Sequence, residues 1–348
     1  MKDGAAGHAN NFDALRLLAA VSVIFSHSFL IADGNESHEP LILLTGRQSI
    51  LGLAGVFVFF AISGFLVTQS WEQTGSAWRY LVKRSLRIFP GLVAALALSA
   101  FVLGPLVTTL PLKDFFARPE PWLYVPYNTA LSVEVHELPG VLFVDNAVGL
   151  EINGSLWTLR YEFMMYLMVM LLGAARVLNL WTCLALLALG MACVGVPALP
   201  ALGGWGWMLS FFAIGMVLYQ LRFTRVFDGR VALAALALLA VSIPIRQFIL
   251  LFPLTGCYLA LWLARNPRIR PLRAARWGDL SYGLYIYGWP SEQLVIWLRG
   301  GHAAWWQVFL PALLIAGGLA FLSWHLIEKR ALALKPRAQA IVASQAAD

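Results

Sequence analysis

Apolar runs of about 17 to 23 residues recur along almost the whole chain, each long enough as a helix to cross a hydrocarbon core about 30 Å thick. Inside a bilayer there is no water for backbone N–H and C=O groups to bond, so a crossing segment must be a helix or belong to a closed barrel. The alternating pattern of barrel strands is absent, and the sequence therefore predicts an all-α polytopic membrane protein. The expected spans are 12–31, 52–70, 90–110, 154–174, 180–197, 204–221, 231–246, 248–264, 281–298 and 304–326, about ten transmembrane helices in all. Composition agrees, since 60% of the residues are hydrophobic and only 12% are charged, far from the balance of a soluble domain.

Positive loops stay in the cytoplasm, and this fixes the expected orientation. With the N-terminus inside, the inner segments hold Lys2, Arg79, Lys83, Arg84, Arg87, Arg176, Arg222, Arg225, Arg230, Arg265, Arg268, Arg270, Arg273, Arg276, Lys329, Arg330, Lys335 and Arg337. The outer segments hold only Arg47, Lys113, Arg118, Arg246 and Arg299. Both termini are accordingly expected in the cytoplasm, with residues 1–330 forming one membrane domain and 331–348 a cytoplasmic tail. The first span has a barely basic flank and no clear small-residue cleavage site, so it reads as a retained helix rather than a signal peptide. The net charge of +7 follows from the inner loops and gives no case for nucleic acid. Cys183, Cys193 and Cys257 fall inside apolar helices, without metal-ligand or disulfide spacing, and no metal is expected.

The outer segment 111–153 is rich in proline and acidic residues, with Glu120, Glu134, Glu137, Asp145 and Glu151. Its Trp122, Tyr124 and Tyr127 suit either interfacial anchoring or stacking on a sugar.

Ionisable groups inside a span cost about 2.5 to 3.5 kcal/mol each on insertion scales and therefore mark function. In the first span Arg16 and His27 are eleven residues apart, about three helical turns, on nearly the same face and roughly 16 Å from each other along the axis. Asp13 lies at i, i+3 from Arg16 and can pair with it. In the fourth span Arg160 and Glu162 point to different sides, and Glu162 has no partner within its own helix. His27 and Glu162 both belong to the outer half of the bilayer, whereas Arg16 lies near the inner end. A histidine can act as general base toward a hydroxyl, and an arginine on the inner side suits phosphate. Taken singly, such a histidine also serves as a helix-to-helix hydrogen bond and such an arginine also snorkels to headgroups. Ser63 and Gly64 break a bulky apolar run and admit a neighbouring backbone. Arg84 and Arg87 share one face of the following basic segment, which Pro90 is expected to end; the charge fits the positive-inside pattern and also a phosphate-rich ligand.

These segments, in this order, resemble the acyltransferase family 3 membrane proteins, which transfer acyl groups to cell-envelope carbohydrates. Arg16 and His27, after an FDALR start, match the family's Arg-x10-His signature. FVFFAISGFLVTQS resembles its Ser-Gly-Phe helix, KRSLRIFP its basic loop, and NGSLWTLRYEF its Ser-Leu-Trp segment with Glu162 as the acidic residue. DLSYGLYIYGWP and HLIEKR resemble its Ser-Tyr-x-Leu-Tyr and Ile-Glu-Lys segments. Two departures stand out: Gly288 occupies a position where many members carry a histidine, and Arg160 is unusual within its motif. No SGNH-type hydrolase domain is expected after the tenth helix.

The resemblance implies acetyl-CoA or another acyl-CoA as cytoplasmic donor and a hydroxyl of a glycan or lipid-linked saccharide as acceptor, at a bacterial inner membrane. It implies that Arg84 and Arg87, with Ser63, Gly64 and Arg16, hold the donor. His27 would deprotonate the acceptor, Glu162 would orient the imidazole or bind the sugar, and Asp13, Trp157, Tyr282, Tyr285 and Glu328 would line the substrate cavity. Direct transfer and a transient acyl-histidine remain alternatives. The rival reading is a transporter or flippase of lipid-linked saccharide, in which the same charges line a pathway.

Overall fold

A chain this apolar satisfies its backbone by helix formation, and the computed structural model is helical along most of its length, with no strand among the described residues. It describes residues 11–335 except 132–136, 142, 144–145, 150, 195–199, 267–268 and 270–273. Lys2, Glu134, Asp145, Arg268, Arg270, Arg273, Arg337 and the tail from 336 onward therefore lie outside the described residues.

Ten longer helical stretches follow the expected spans. They are α1 (Phe12–Asp33), α2 (Leu51–Thr74), α3 (Ala77–Val107), α4 (Trp157–Ala174), α5 (Leu180–Val194), α6 (Pro200–Gln220), α7 (Gly229–Ser242), α8 (Phe248–Arg265), α9 (Ser281–Leu298) and α10 (Trp305–Ala333). Among the described residues five of them, α1, α2, α3, α8 and α10, are long and apolar enough to cross a membrane. Of the others α5 and α7 are shorter, and α9 carries polar residues for a reason. Fifteen of its eighteen residues are buried, so it is wrapped by protein and can carry Tyr, Ser, Glu and Gln where a lipid-facing helix could not. By contrast α10 buries little of its surface and presents Leu310, Leu314 and Leu322 outward.

One expectation fails at Pro90. The basic segment is not a loop ended by the proline but the first three turns of α3, which runs through Pro90 without a break. A proline removes one intrahelical N–H, and membrane helices tolerate this because neighbouring helices, Ser/Thr side chains and local adjustments re-satisfy the freed backbone groups. The consequence is functional: Lys83, Arg84 and Arg87 ride on a rigid helix. Three π-helical turns, Ser99–Leu103, Pro253–Cys257 and Trp324–Glu328, interrupt α3, α8 and α10.

At the centre, α1 packs against α2, α9 and α10, and α2 packs in turn against α6, which carries α5. Gly64 sets the α2–α6 approach. A Cβ there would lie 2.0 Å from the Phe212 carbonyl oxygen, and one at Gly215 would lie 2.0 Å from the Ala61 oxygen. Gly64 thus packs against backbone and does not line the cavity described below, whereas its neighbour Ser63 does. Gly64→Ala is expected to destabilise the protein by about 1–3 kcal/mol through overpacking, seen as a lower Tm in detergent. Gly317→Ala, where a Cβ meets nothing within 4 Å, should leave the Tm unchanged.

Candidate active site

α1 and α9 run side by side in the same direction, so residues equally far along them meet. Along this contact Gly288 faces Ile24, whose Cγ1 would lie 2.8 Å from a Cβ at 288. One turn further on, three residues along α1 and four along α9, His27 meets Glu292. The His27 Nδ1 lies 3.7 Å from Glu292 Oε2. Glu292 is fully buried, and its other oxygen accepts a 2.8 Å hydrogen bond from Ser28. The Trp289 ring stands edge-on to the imidazole, with centroids 4.8 Å apart.

This end of α9 is tied down by the segment that follows the short helices of the long connecting loop. Trp289 Nε1 donates to the Glu151 carbonyl at 3.1 Å, and Gln293 Nε2 donates to the same oxygen at 2.9 Å. Asn146 donates to Gln293 Oε1, and Asn153 to the Ile286 carbonyl. On the other flank of His27, buried Glu39 accepts from the backbone N–H groups of Ile42 and Leu51 and from Ser26 Oγ. His27 is therefore held by elements fixed on both sides, with its ring partly accessible.

The opposite ends of the same two helices build a different environment. Asp279, just before α9, accepts from Arg87 at 2.6 Å and lies 3.9 Å from Arg16. Gly278 delivers it there: its φ of +114° is a left-handed conformation that side chains rarely adopt, and Trp324 packs where a Cβ would stand. Burial raises the Asp279 carboxyl, but Arg87 and then Arg16 outweigh it and hold the pKa down at about 2. Asp13 pairs with Arg16 at 3.9 Å, as its spacing predicts. Glu328 does not line the cavity. The π turn places it behind Arg87 (4.0 Å), where it accepts from Ser323.

Between α1, α2, α3, α4 and α9 lies a cavity of about 310 Å³. Arg16, Lys83, Arg84, Arg87 and Lys335 give it positive walls, and Ser63, Glu162, Tyr166, Tyr282 and Tyr285 also line it. Arg84 donates to Ser70 at 3.2 Å and Lys83 to Thr74 at 3.2 Å, hydroxyls rather than carboxylates, while the buried Arg84 Nε has no partner. Such an excess of cations fits a polyanion carrying phosphate groups. At Tyr285, one of the lining residues, the hydroxyl meets Thr158 at 2.6 Å and donates to the Ser155 carbonyl at 2.8 Å.

The expected grouping is thus only partly realised. Arg16, Arg84, Arg87, Ser63, Glu162, Tyr282 and Tyr285 share the cavity, and His27 is not among its lining residues. Glu162 is not the partner of His27: it accepts from Tyr166 one turn on in its own helix, against the expectation that it has no partner there, and from Ser63 on α2. Trp157 sits in an aromatic stack with Tyr161 and Trp205 outside the cavity. Arg160 lies over the Tyr161 ring and donates to its hydroxyl. Glu292 and Asp279 escaped sequence reading, although Glu292 carried the signal that singled out Glu162, a carboxylate inside a span at the depth of His27.

A fold of apolar helices with a basic cavity at one end and a histidine–carboxylate pair further along the same two helices suits a membrane enzyme that moves an activated group. The family model for an acyltransferase domain matches residues 10–328, and the chain belongs to that family, acyltransferase family 3. It is an O-acyltransferase. Among its relatives is an "O-acetyl transferase" of Shigella phage Sf6, 28% identical over 338 residues, which cover 93% of this chain and 96% of the relative. Another is "Nodulation protein 10" of Rhizobium leguminosarum bv. viciae, 31% identical over 383 residues, covering 94% and 95%. No solved structure matches the chain.

Proposed function

We propose that the protein transfers an acyl group, in the first instance acetyl, from an acyl-CoA in the cytoplasm to a hydroxyl of a cell-envelope glycan on the far side of a bacterial inner membrane. In this reading all ten helices form one membrane domain over residues 1–330, with the basic end inward. The observation that carries it is the pairing of two sites on α1 and α9: Arg16 and Asp279 at one end, His27 and Glu292 at the other. Eleven residues of helix separate Arg16 from His27, about 16 Å, a span that the pantetheine arm of CoA can bridge.

The phosphates of the donor bind Arg84, Arg87 and Arg16, and the thioester points along the cavity toward Tyr285. At the far end the Glu292 carboxylate, 3.7 Å from His27 Nδ1, favours the proton on Nδ1 by its charge and leaves Nε2 free to take the proton of the acceptor hydroxyl. The alkoxide attacks the thioester carbonyl, the C–S bond breaks, and the CoA thiolate departs. The relative named an O-acetyl transferase supports acetyl as the group moved. Membership of an acyltransferase family weighs against a flippase that consumes no donor.

The test is acceptor-dependent release of CoA from acetyl-CoA by the purified protein, using an envelope glycan fraction. Glu292→Gln keeps the shape but removes the charge that orients the imidazole, and it is expected to lower kcat about 10²-fold with little change in the KM for acetyl-CoA. Full activity in Glu292→Gln would remove Glu292 from the mechanism.

A further inference from the structure

The basic cavity holds more positive charge than one pair of phosphates in a diphosphate bridge requires. Arg16 and Arg87 share Asp279 deep in the cavity. Lys83, Arg84 and Lys335 face the same space with no carboxylate at ion-pairing distance among the described residues. Along α3, Lys83 lies one turn before Arg87, about 6 Å nearer the end of the helix. Lys335 comes from a different part of the chain, just past the end of α10. It joins them at the rim, half-buried. Burial and the charges of Arg84, Arg87 and Lys83 together lower the Lys335 pKa, the mark of a cation set among cations, and an arriving anion relieves that repulsion.

Acyl-CoA carries its anions in a fixed order from the thioester: first the diphosphate, then, at the far end of the ribose, a phosphate monoester. A donor whose thioester points toward Tyr285 and whose diphosphate meets Arg84 and Arg87 presents this last phosphate at the rim. We propose that Lys83 and Lys335 form a second anion site, specific for the ribose 3′-phosphate of the donor. Two ammonium groups on flexible stems from different elements suit a dianion whose position shifts with the acyl chain, whereas the inner arginines give bidentate contacts. The proposal rests on acyl-CoA being the donor.

The experiment measures Kd for CoA and for 3′-dephospho-CoA on the wild type, Lys335→Gln, Lys83→Gln and Lys335→Arg in detergent or nanodiscs, with Tm recorded for each. Wild type is expected to bind CoA about 10-fold more tightly than 3′-dephospho-CoA. Lys335→Gln and Lys83→Gln should each remove most of that preference by weakening CoA alone, and Lys335→Arg should restore it. Equal weakening of both ligands, or an unchanged preference in both glutamine variants, overturns the second site and leaves the donor reading intact. Failure of the wild type to bind either ligand overturns the donor reading itself, and this site with it. Lys335 lies beyond the last helical turn, so its replacement leaves helix packing in place, and an unchanged Tm confirms that the binding data describe folded protein.

Discussion

His27→Ala is expected to lower acyl transfer by about 10²–10⁴-fold, the range that a positioned general base contributes, while acetyl-CoA binds as tightly as to the wild type. The separation of effects follows from the geometry. His27 stands outside the cavity that holds the cations, so its loss removes an interaction made only as the hydroxyl is deprotonated, which appears in kcat and leaves donor affinity alone. The fold should survive as well, because the imidazole holds no helix together: its Nδ1 has no hydrogen bond, and its contacts are Glu292 at 3.7 Å and the Trp289 edge. The pair of assays is acceptor-dependent CoA release and equilibrium binding of acetyl-CoA. Loss of binding in His27→Ala would place the histidine in the donor site instead.

Arg87→Ala is expected to fail in the opposite way, losing donor binding and stability together. Arg87 joins three elements: it donates to Asp279 ahead of α9 at 2.6 Å, approaches Glu328 in the π turn of α10 at 4.0 Å, and lies against the Tyr282 ring. Removing it leaves two carboxylates without their main cation in a poorly hydrated setting, which costs about 3 kcal/mol, the lower end of the range for a broken buried pair because the side chain keeps some exposure. Arg87→Lys keeps the charge and loses the forked geometry, so its Tm and donor Kd should fall between those of wild type and Arg87→Ala. The same pair makes a pH statement. The Asp279 pKa is depressed to about 2, so the stability it contributes is fully present above about pH 4 and is lost as pH falls toward 2. Asp279→Asn should flatten that acid limb of the stability profile.

Helix positions were legible in the sequence because apolar runs of bilayer length leave few alternatives, and α9 occupies the expected 281–298. That Arg16, Arg84 and Arg87 line one cavity was foreshadowed in the sequence, where they stand out as cations at the end of apolar helices. What escaped depends on which helices touch. The i, i+4 pair of Glu162 and Tyr166 lies within one helix and could have been read, but nothing within one helix says that Glu162 reaches Ser63 while Glu292 reaches His27. That choice is made by the close approach of α1 and α9 at Gly288 and Ile24, a long-range packing contact. The glycine that first reads as a missing histidine packs against Ile24 of α1, and one turn later α9 brings a carboxylate to the histidine. Pro90 misled for a related reason: a proline rule drawn from soluble helices gives way when the flanking sequence is committed to a membrane helix. Gly64 was a packing residue beside a cavity-lining serine, a distinction that neighbours in sequence do not reveal.

The most direct test is sidedness. In sealed inside-out membrane vesicles containing the protein and a glycan acceptor in the lumen, labelled acetyl-CoA added outside meets only the face carrying Arg84 and Arg87 in the proposed orientation. The expected result is label on the lumenal glycan, dependent on His27 and Glu292, with CoA left outside. Label that reaches the glycan only when acetyl-CoA is supplied in the lumen would contradict the account, because donor and acceptor would then meet on one side and the two ends of α1 and α9 would not divide the work.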